Sequence, residues 1–347
     1  MEIKKRIMTE NPLNAEPPIT ALRSWLTPNE AFFNRNQGAI PSEPIDIKQW
    51  RLKITGEIKK EVELTFDDIL EMPKVVVANT FECSGNSRSL LKEKAPGNPW
   101  TIGGVANVIW TGVNLKDVLM MAGLTDKSNH VAFEGFGRPV GGSGVEFIRS
   151  IPIDKAMDST ILAYEMNGEP LPNPHGYPMR ALPLGWYGAN SVKWLNKIIV
   201  KEHPYEGYFM DKAYRIFQKG QDPKTGEVVT EIKLKSIITK PLNGDILKRG
   251  RILISGMAYA GSHTIEAIWL SYDRGNTWHE CQFTGPNQKY SWRQWQYLWD
   301  VETSGDYTIV SKAKDSKGNE QSLQGKWNAH GYCNNGILDH AIKITIL

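Results

Sequence analysis

With 347 residues the chain has room for two domains and a sizeable core. Hydrophobic residues at 40% and charged residues at 23% are ordinary for a soluble globular protein. The 41 Lys and Arg are scattered and leave a formal net charge of only +3, which argues against nucleic acid as the main partner while leaving room for a local positive pocket that binds a small anion.

Three cysteines at wide spacing, Cys83, Cys281 and Cys333, make neither a disulfide framework nor a zinc knuckle. The seven histidines show no HExxH or comparable pair. No stretch approaches the ~20 apolar residues needed to cross a bilayer, so no membrane partner is expected. Residues 1–10 carry basic side chains with no apolar run behind them, and no secretory signal is visible. The expected compartment is the cytoplasm, with export by a signal removed ahead of this numbering as the alternative.

Residues 1–30 are polar and proline-containing, with a short amphipathic patch at 21–26. Phe32-Phe33 then leads into an Arg35-Asn36 turn. Alternation of Trp50, Leu52 and Ile54 with Arg51, Lys53 and Thr55 predicts a half-buried strand over 50–56. Thr65 opens a short helix, Asp68 three residues on makes an approximate capping box, and Pro73 marks its end. The run Val75-Val76-Val77-Ala78 reads as a strand with both faces covered.

That strand meets Cys83-Ser84-Gly85-Asn86, a turn composition that lets backbone approach a ligand closely. The thiol sits at a strand end, with Arg88 five residues on. A thiolate is a soft metal ligand, and a guanidinium nearby would hold a thiolate or an oxyanion in its charged state. The residues alone therefore give a metal or nucleophile site, set against a plain buried cysteine. Trp100 reads as a core or lid aromatic. A second helix starts at Asn114, carries Leu115, Val118, Leu119 and Ala122 on one face, and stops at Gly123.

Residues 130–200 alternate short strands with turns and include a Gly-rich stretch at 135–144. His175, Arg180 and Lys193 lie among glycines in loops, where they would either grip a phosphate or other oxyanion or serve as ordinary surface charge. Neither GxxxxGK[ST] nor GxGxxG occurs there. After about 235 the helical period disappears. A hairpin with a Gly275-Asn276 turn and strands at 291–301 and 306–314 suggest a β-sandwich of immunoglobulin type. The expected architecture is an α+β domain at 1–235 and an all-β domain at 236–347. Arg293 reads as a structural arginine, with a pocket or interface role as the alternative; Cys281 and Cys333 read as plain sandwich residues.

Taken together and in order, FFxRN at 32–36, Cys83-Ser84-Gly85-Asn86, residues 110–115 and 162–168, HGYPMR at 175–180 and SVKW at 191–194 resemble the sulfite oxidase family of molybdenum enzymes. The layout is similar to the haem-free members, with a molybdopterin-binding domain followed by an immunoglobulin-like dimerisation domain. The resemblance implies a Mo-molybdopterin cofactor with Cys83 as the one protein ligand to the metal. It implies that Phe33, Asn34, Arg35, Asn36, Gln37, His175, Arg180, Ser191, Val192 and Lys193 hold the pterin and its phosphate. It implies that Arg35, Arg88, Trp100 and Tyr214 line the substrate pocket.

The implied reaction is oxidation of sulfite to sulfate by oxygen-atom transfer, with electrons passed to a separate cytochrome, another carrier or oxygen, since no CxxCH or flavin motif is present. A homodimer is implied as well. This chain departs from the family pattern at Gln37, where many members have histidine, at Ser87, where an Arg-Arg pair is common, and at Gly137-Arg138, where an acid is often seen. The same scaffold would also suit a sulfane dehydrogenase or a nitrate reductase. From another class, the alternative is a cofactor-free binding protein.

Overall fold

A computed structural model describes residues 3–139 and 145–347, so the Gly-rich stretch falls partly outside the described residues. Two five-stranded sheets build the first part of the chain. One runs in the order Arg149–Pro152, His130–Gly135, Leu195–Lys201, Leu52–Gly56, Val62–Leu64, with its parallel pair between Leu195–Lys201 and Leu52–Gly56. The other places Thr160–Met166 beside Val105–Asn114, which pairs with Lys74–Glu82. Arg180–Pro183 adds to Thr160–Met166 on the far side. A shared apolar core, including Trp50, Ile54, Leu115, Phe133, Leu162 and Ile198, joins both sheets to the helices.

Local sequence explains most of these elements. Leu52 and Ile54 are buried while Lys53 is exposed, as alternation requires of a strand with one covered face. Thr65 and Asp68 form a complete capping box on the helix Phe66–Leu70, with reciprocal bonds of 2.7 and 3.1 Å. The helix Leu115–Ala122 ends where Gly123 takes φ +70°, a conformation that a side chain would strain. The helix Ile153–Ser159 carries no strong start signal beyond Pro152 and was not foreseen.

The valine run departs from expectation. Lys74–Glu82 is an edge strand, bonded on one side to Val105–Asn114, and Val76 is 59% exposed. Full burial begins at Ala78 and holds to Glu82, where the strand runs under the second domain. Three adjacent β-branched residues favour extended backbone whether or not both faces are covered, which is why the sequence pattern misled.

The C-terminal part is all β. One sheet runs Lys235–Lys240, Gly250–Tyr259, Arg293–Val301, Gln282–Phe283; the other runs Ile246–Leu247, Ile342–Ile346, Gly305–Asp315, Ile265–Ser271, His279–Glu280. Ile254, Trp295, Ile268, Ile309 and Ile344 from both sheets share one core. The predicted hairpin is present, but its left-handed residues are Arg274 and Gly275 rather than Gly275 and Asn276. The Asp273 carboxylate accepts from the N–H groups of Asn276 and Thr277 at 3.1 and 2.9 Å, which fixes the turn one residue earlier. Arg293 donates to the Ile265 carbonyl and lies 3.5 Å over the Phe283 ring, a structural position inside this part of the chain.

The two parts are fastened by polar bonds as well as by a common apolar cluster of Leu22, Tyr187, Ile237, Met257 and Trp292. Lys235 Nζ reaches Glu82 Oε1 at 2.6 Å with both side chains fully buried, and Tyr259 donates to the same oxygen at 2.9 Å. A buried pair is costly to break from one side, because the remaining charge has no solvent to turn to. Lys235→Met should therefore lower unfolding free energy by about 3–5 kcal/mol, and adding Glu82→Gln should recover most of the loss. Urea unfolding of Lys235→Met, Glu82→Gln and the double variant measures this; additive losses in the double variant would refute the pairing.

Candidate active site

The strand Lys74–Glu82 delivers Cys83 into a tight loop. Cys83 N–H donates to Gly104 O at 2.9 Å, and Asn86 bridges Glu82 Oε1 and Gly104 N–H, both at 2.9 Å. Arg88 crosses beneath this loop, donating to Asn98 O at 2.9 Å and to His330 O at 2.8 Å. A Cβ on Gly85 would lie 2.7 Å from the Arg88 guanidinium, so the close crossing requires glycine there.

Above the loop opens a solvent-connected cavity lined by both polar and apolar side chains. Cys83 lines it, as do Phe33, Arg35, Asn36 and Gln37 on one wall. His175, Arg180, Ser191, Val192 and Lys193 line another, and Tyr214 closes the edge. These residues lie far apart in sequence, mostly in loops, with Arg180 opening the strand Arg180–Pro183.

Three expected residues lie elsewhere. Asn34 is tied into the scaffold through a backbone bridge to Ala15, with its side chain accepting from Lys5 Nζ at 2.8 Å. Trp100 is 1% exposed and packs edge-on against Phe33 at 5.7 Å, behind the cavity wall. Arg88 props the loop from below instead of lining the space.

The electrostatics of the wall are lopsided. Arg180 donates to Ser191 Oγ at 3.0 and 3.1 Å and to His175 O at 3.1 Å, and lies 4.7 Å over the Phe81 ring. Lys193 Nζ donates to Pro174 O at 2.8 Å and to Asn36 Oδ1. Arg35 donates to Asn14 Oδ1 at 3.1 Å and to Asn36 O. All of these partners are neutral, and among the described residues none of the three cations makes an ion pair with a carboxylate. Burial pushes Arg180 down to about 9. Burial, then Arg180 and Arg35, hold Lys193 well below the ordinary lysine range. Burial first, and then Lys193, keep His175 neutral. Such a cluster is costly unless an anion completes it.

Burial raises the Cys83 thiol, opposed by Arg35 and a backbone N–H from Gly85, so in the absence of a metal it is a protonated soft ligand. Ser84 Oγ is buried at the same cavity with no hydrogen-bond partner. Tyr214 adopts φ +53°, and its hydroxyl accepts from Gln37 Nε2 at 2.5 Å. A left-handed tyrosine held by a side-chain bond marks a position where geometry is imposed from outside.

Sequence reading missed several neighbours. Arg149 is fully buried, lies 5.3 Å over the Tyr214 ring, donates to Asn190 Oδ1 at 2.8 Å, and leaves its Nε unpartnered. Phe147 and Phe209 add apolar wall. No local pattern distinguishes these from ordinary core residues; only the fold joins them.

The family model for an oxidoreductase molybdopterin-binding domain matches residues 37–209, and that for a Mo-co oxidoreductase dimerisation domain matches residues 226–346. The chain is 31% identical to sulfite oxidase of Arabidopsis thaliana, covering 95% of this chain and 91% of the relative. The chain belongs to the sulfite oxidase family. Mitochondrial sulfite oxidase of Mus musculus is 34% identical over 99% of this chain, which spans 66% of the mouse protein's length. Among solved structures, the sulfane dehydrogenase SoxCD from Paracoccus pantotrophus is similar with a TM-score of 0.83 and 25% identity, covering 98% of this chain and 90% of that one.

As a member of the sulfite oxidase family, the protein takes a molybdenum–molybdopterin cofactor, and the residues present fit one. Cys83 lines the cavity, an orphaned Ser84 hydroxyl lies at the same cavity, and Arg180 and Lys193 line it with no acid partner among the described residues, a donor set that suits an anionic group. Gly188 lines the same wall, and a Cβ there would sit 2.7 Å from the Phe81 ring.

The far side of the Cys83 loop is held by the C-terminal part. His340 Nδ1–H donates to Gly336 O at 2.7 Å, leaving Nε2 to accept from Ser87 Oγ at 2.8 Å. Cys333 N–H donates to Ser84 O at 2.8 Å, so Cys333 lies on a returning segment and is not the plain sandwich residue expected. Burial, then Lys235, push His340 from 6.5 down to about 3. The unfolded chain takes up this proton and the native chain does not. Stability is therefore full above about 6.5 and falls as pH drops toward 3, by about 1.4 kcal/mol per pH unit. His175 is shifted the same way and adds to the slope. Urea unfolding between pH 4 and 7 checks this, and His340→Asn should flatten the dependence; an unchanged slope would contradict it.

Proposed function

We propose that this protein oxidises sulfite to sulfate and passes the electrons to a separate acceptor, either a cytochrome, another carrier or oxygen. The observation that carries the reading is a cavity lined by Cys83 and by one buried and two half-buried cations, Arg180, Arg35 and Lys193, with no acid partner among the described residues. Bound Mo-molybdopterin supplies oxygen-atom transfer and the two-electron redox change.

The chain's own residues do the rest. Cys83 would hold the metal, as a thiolate. Arg180, Lys193 and His175, with Ser191 and Val192, hold the pterin phosphate, and Phe33, Asn36 and Gln37 wall the pterin. Arg35 presents a guanidinium that stays charged and grips the substrate's oxygens. Arg88 keeps the Cys83 loop closed and adds positive potential from below. Gln37 orients the Tyr214 hydroxyl toward the site.

Residues 1–235 serve as the catalytic domain and 236–347 as an immunoglobulin-like sandwich, a division supported by two sheets sharing one core after 235. The sandwich forms a homodimer, supported by the dimerisation-domain match and by Leu253 opposite Leu298 on an exposed face. Light scattering reports the assembly. Among the described residues no helix is long and apolar enough to cross a membrane. A cytoplasmic location remains part of the proposal, checked by fractionating source cells.

The direct test is metal analysis with steady-state assay of sulfite, thiosulfate and nitrate against an artificial acceptor. About one molybdenum per chain with sulfite preferred is expected; absence of molybdenum would leave a binding protein. The likeness to a sulfane dehydrogenase favours a sulfane sulfur compound as the second reading, and a preference for thiosulfate would support it.

A further inference from the structure

Arg149 opens the strand Arg149–Pro152 with no exposed surface, and it does not line the cavity. Its bonds go to neutral groups, Phe209 O and, at 2.8 Å, Asn190 Oδ1, and its Nε has no partner. Burial brings the guanidinium down to about 10, so it is still a cation at neutral pH. A charge held this way, without a counter-charge, is costly, and such costs gather where function imposes them. Each of its contacts leads to Tyr214, which does line the cavity. The guanidinium lies 5.3 Å from the centroid of the Tyr214 ring, within range of a cation–π attraction. Phe209, whose carbonyl it holds, stacks on the same ring at 6.3 Å with a 29° tilt. Asn190 donates onward from Nδ2 to Val229 O at 3.0 Å, and Val229 N–H donates to Tyr214 O at 2.9 Å.

We propose that Arg149 is a positioning residue: by holding the ring and the backbone of Tyr214 from behind, it aims the phenol proton into the cavity, toward an oxygen of the bound sulfur oxyanion. Tyr214 needs such a hold, because its φ of +53° lies in the left-handed region that a tyrosine seldom takes unaided. Its hydroxyl oxygen already accepts from Gln37 Nε2 at 2.5 Å, so the proton is what it has left to offer a ligand. An arginine suits the task better than a lysine, since one planar fork reaches Phe209 and Asn190 while its face meets the ring.

This role rests on the sulfite-oxidation reading, and a double-mutant cycle on the holoenzyme separates the two. Arg149→Met should raise the sulfite KM about tenfold and weaken sulfate binding, followed by calorimetry, by about the same factor. Arg149→Lys keeps a cation but not the fork, and should fall between wild type and Arg149→Met. In a Tyr214→Phe background no hydroxyl remains to be aimed, so Arg149→Met should there change either quantity by less than about twofold. Equal effects with and without the Tyr214 hydroxyl would make Arg149 a packing residue and overturn the inference, as would an unchanged sulfate affinity in Arg149→Met. If Arg149→Met does not fold, Arg149→Lys runs the same cycle. Should wild type bind sulfate yet leave sulfite untouched, the activity reading fails, and the calorimetric cycle still decides the role of Arg149.

Discussion

Cys83→Ser should reduce sulfite oxidation by at least about 10³-fold while leaving the protein folded, with a change in unfolding free energy near 1 kcal/mol. The substitution keeps the shape of a side chain that is only 7% exposed and exchanges a soft sulfur donor for a hard oxygen. The loop does not depend on the thiol for its form, since Cys83 is positioned through its backbone bond to Gly104 and through Asn86. Steady-state turnover, circular dichroism and metal content of the purified variant give the result. Full sulfite turnover by Cys83→Ser would remove the thiol from the chemistry altogether.

Lys193→Met should act in opposite directions on cofactor retention and on the empty protein. In the empty state Lys193 is half-buried near Arg180 and Arg35, with only neutral oxygens to bond. Methionine fills similar space without a group that must be desolvated, so the cofactor-free variant should be more stable by about 1–3 kcal/mol. A phosphate that relied on the ammonium loses a charge-assisted bond, and retained pterin should fall about tenfold to a hundredfold. Thermal unfolding of protein made without cofactor, and pterin content of protein made with it, are the two measurements. A plain structural lysine would lose stability in both states, and that outcome would remove the phosphate assignment.

Much of the scaffold is legible in local sequence because its causes are local. The capping box of Thr65 and Asp68, the glycine stop at 123 and the alternation over 50–56 are each written within a few residues. The switch to all-β structure shows in the loss of helical period. The Val75–Val77 run misled because extended preference and two-sided cover leave the same trace. At the site, His175, Arg180 and Lys193 stand out as cations among glycines, and the cavity gathers all three. Trp100 and Arg88 could not be told from cavity residues, since whether a side chain meets the front or the back of a loop depends on distant packing. Arg149 and Tyr332 carry no local signal, because their neighbours lie at Asn190, Tyr214 and Arg88.

The segment that returns from the second domain to the loop at 83–88 bears on how the protein comes apart. Ser84, Ser87 and Arg88 are each bonded to a residue beyond 329. A fragment cut near 235 would keep every residue proposed to hold the pterin and still lose the braces on the loop that carries its metal ligand. Activity should vanish with the tail before the first domain itself melts, so chain length, and not only domain content, decides whether a fragment is an enzyme.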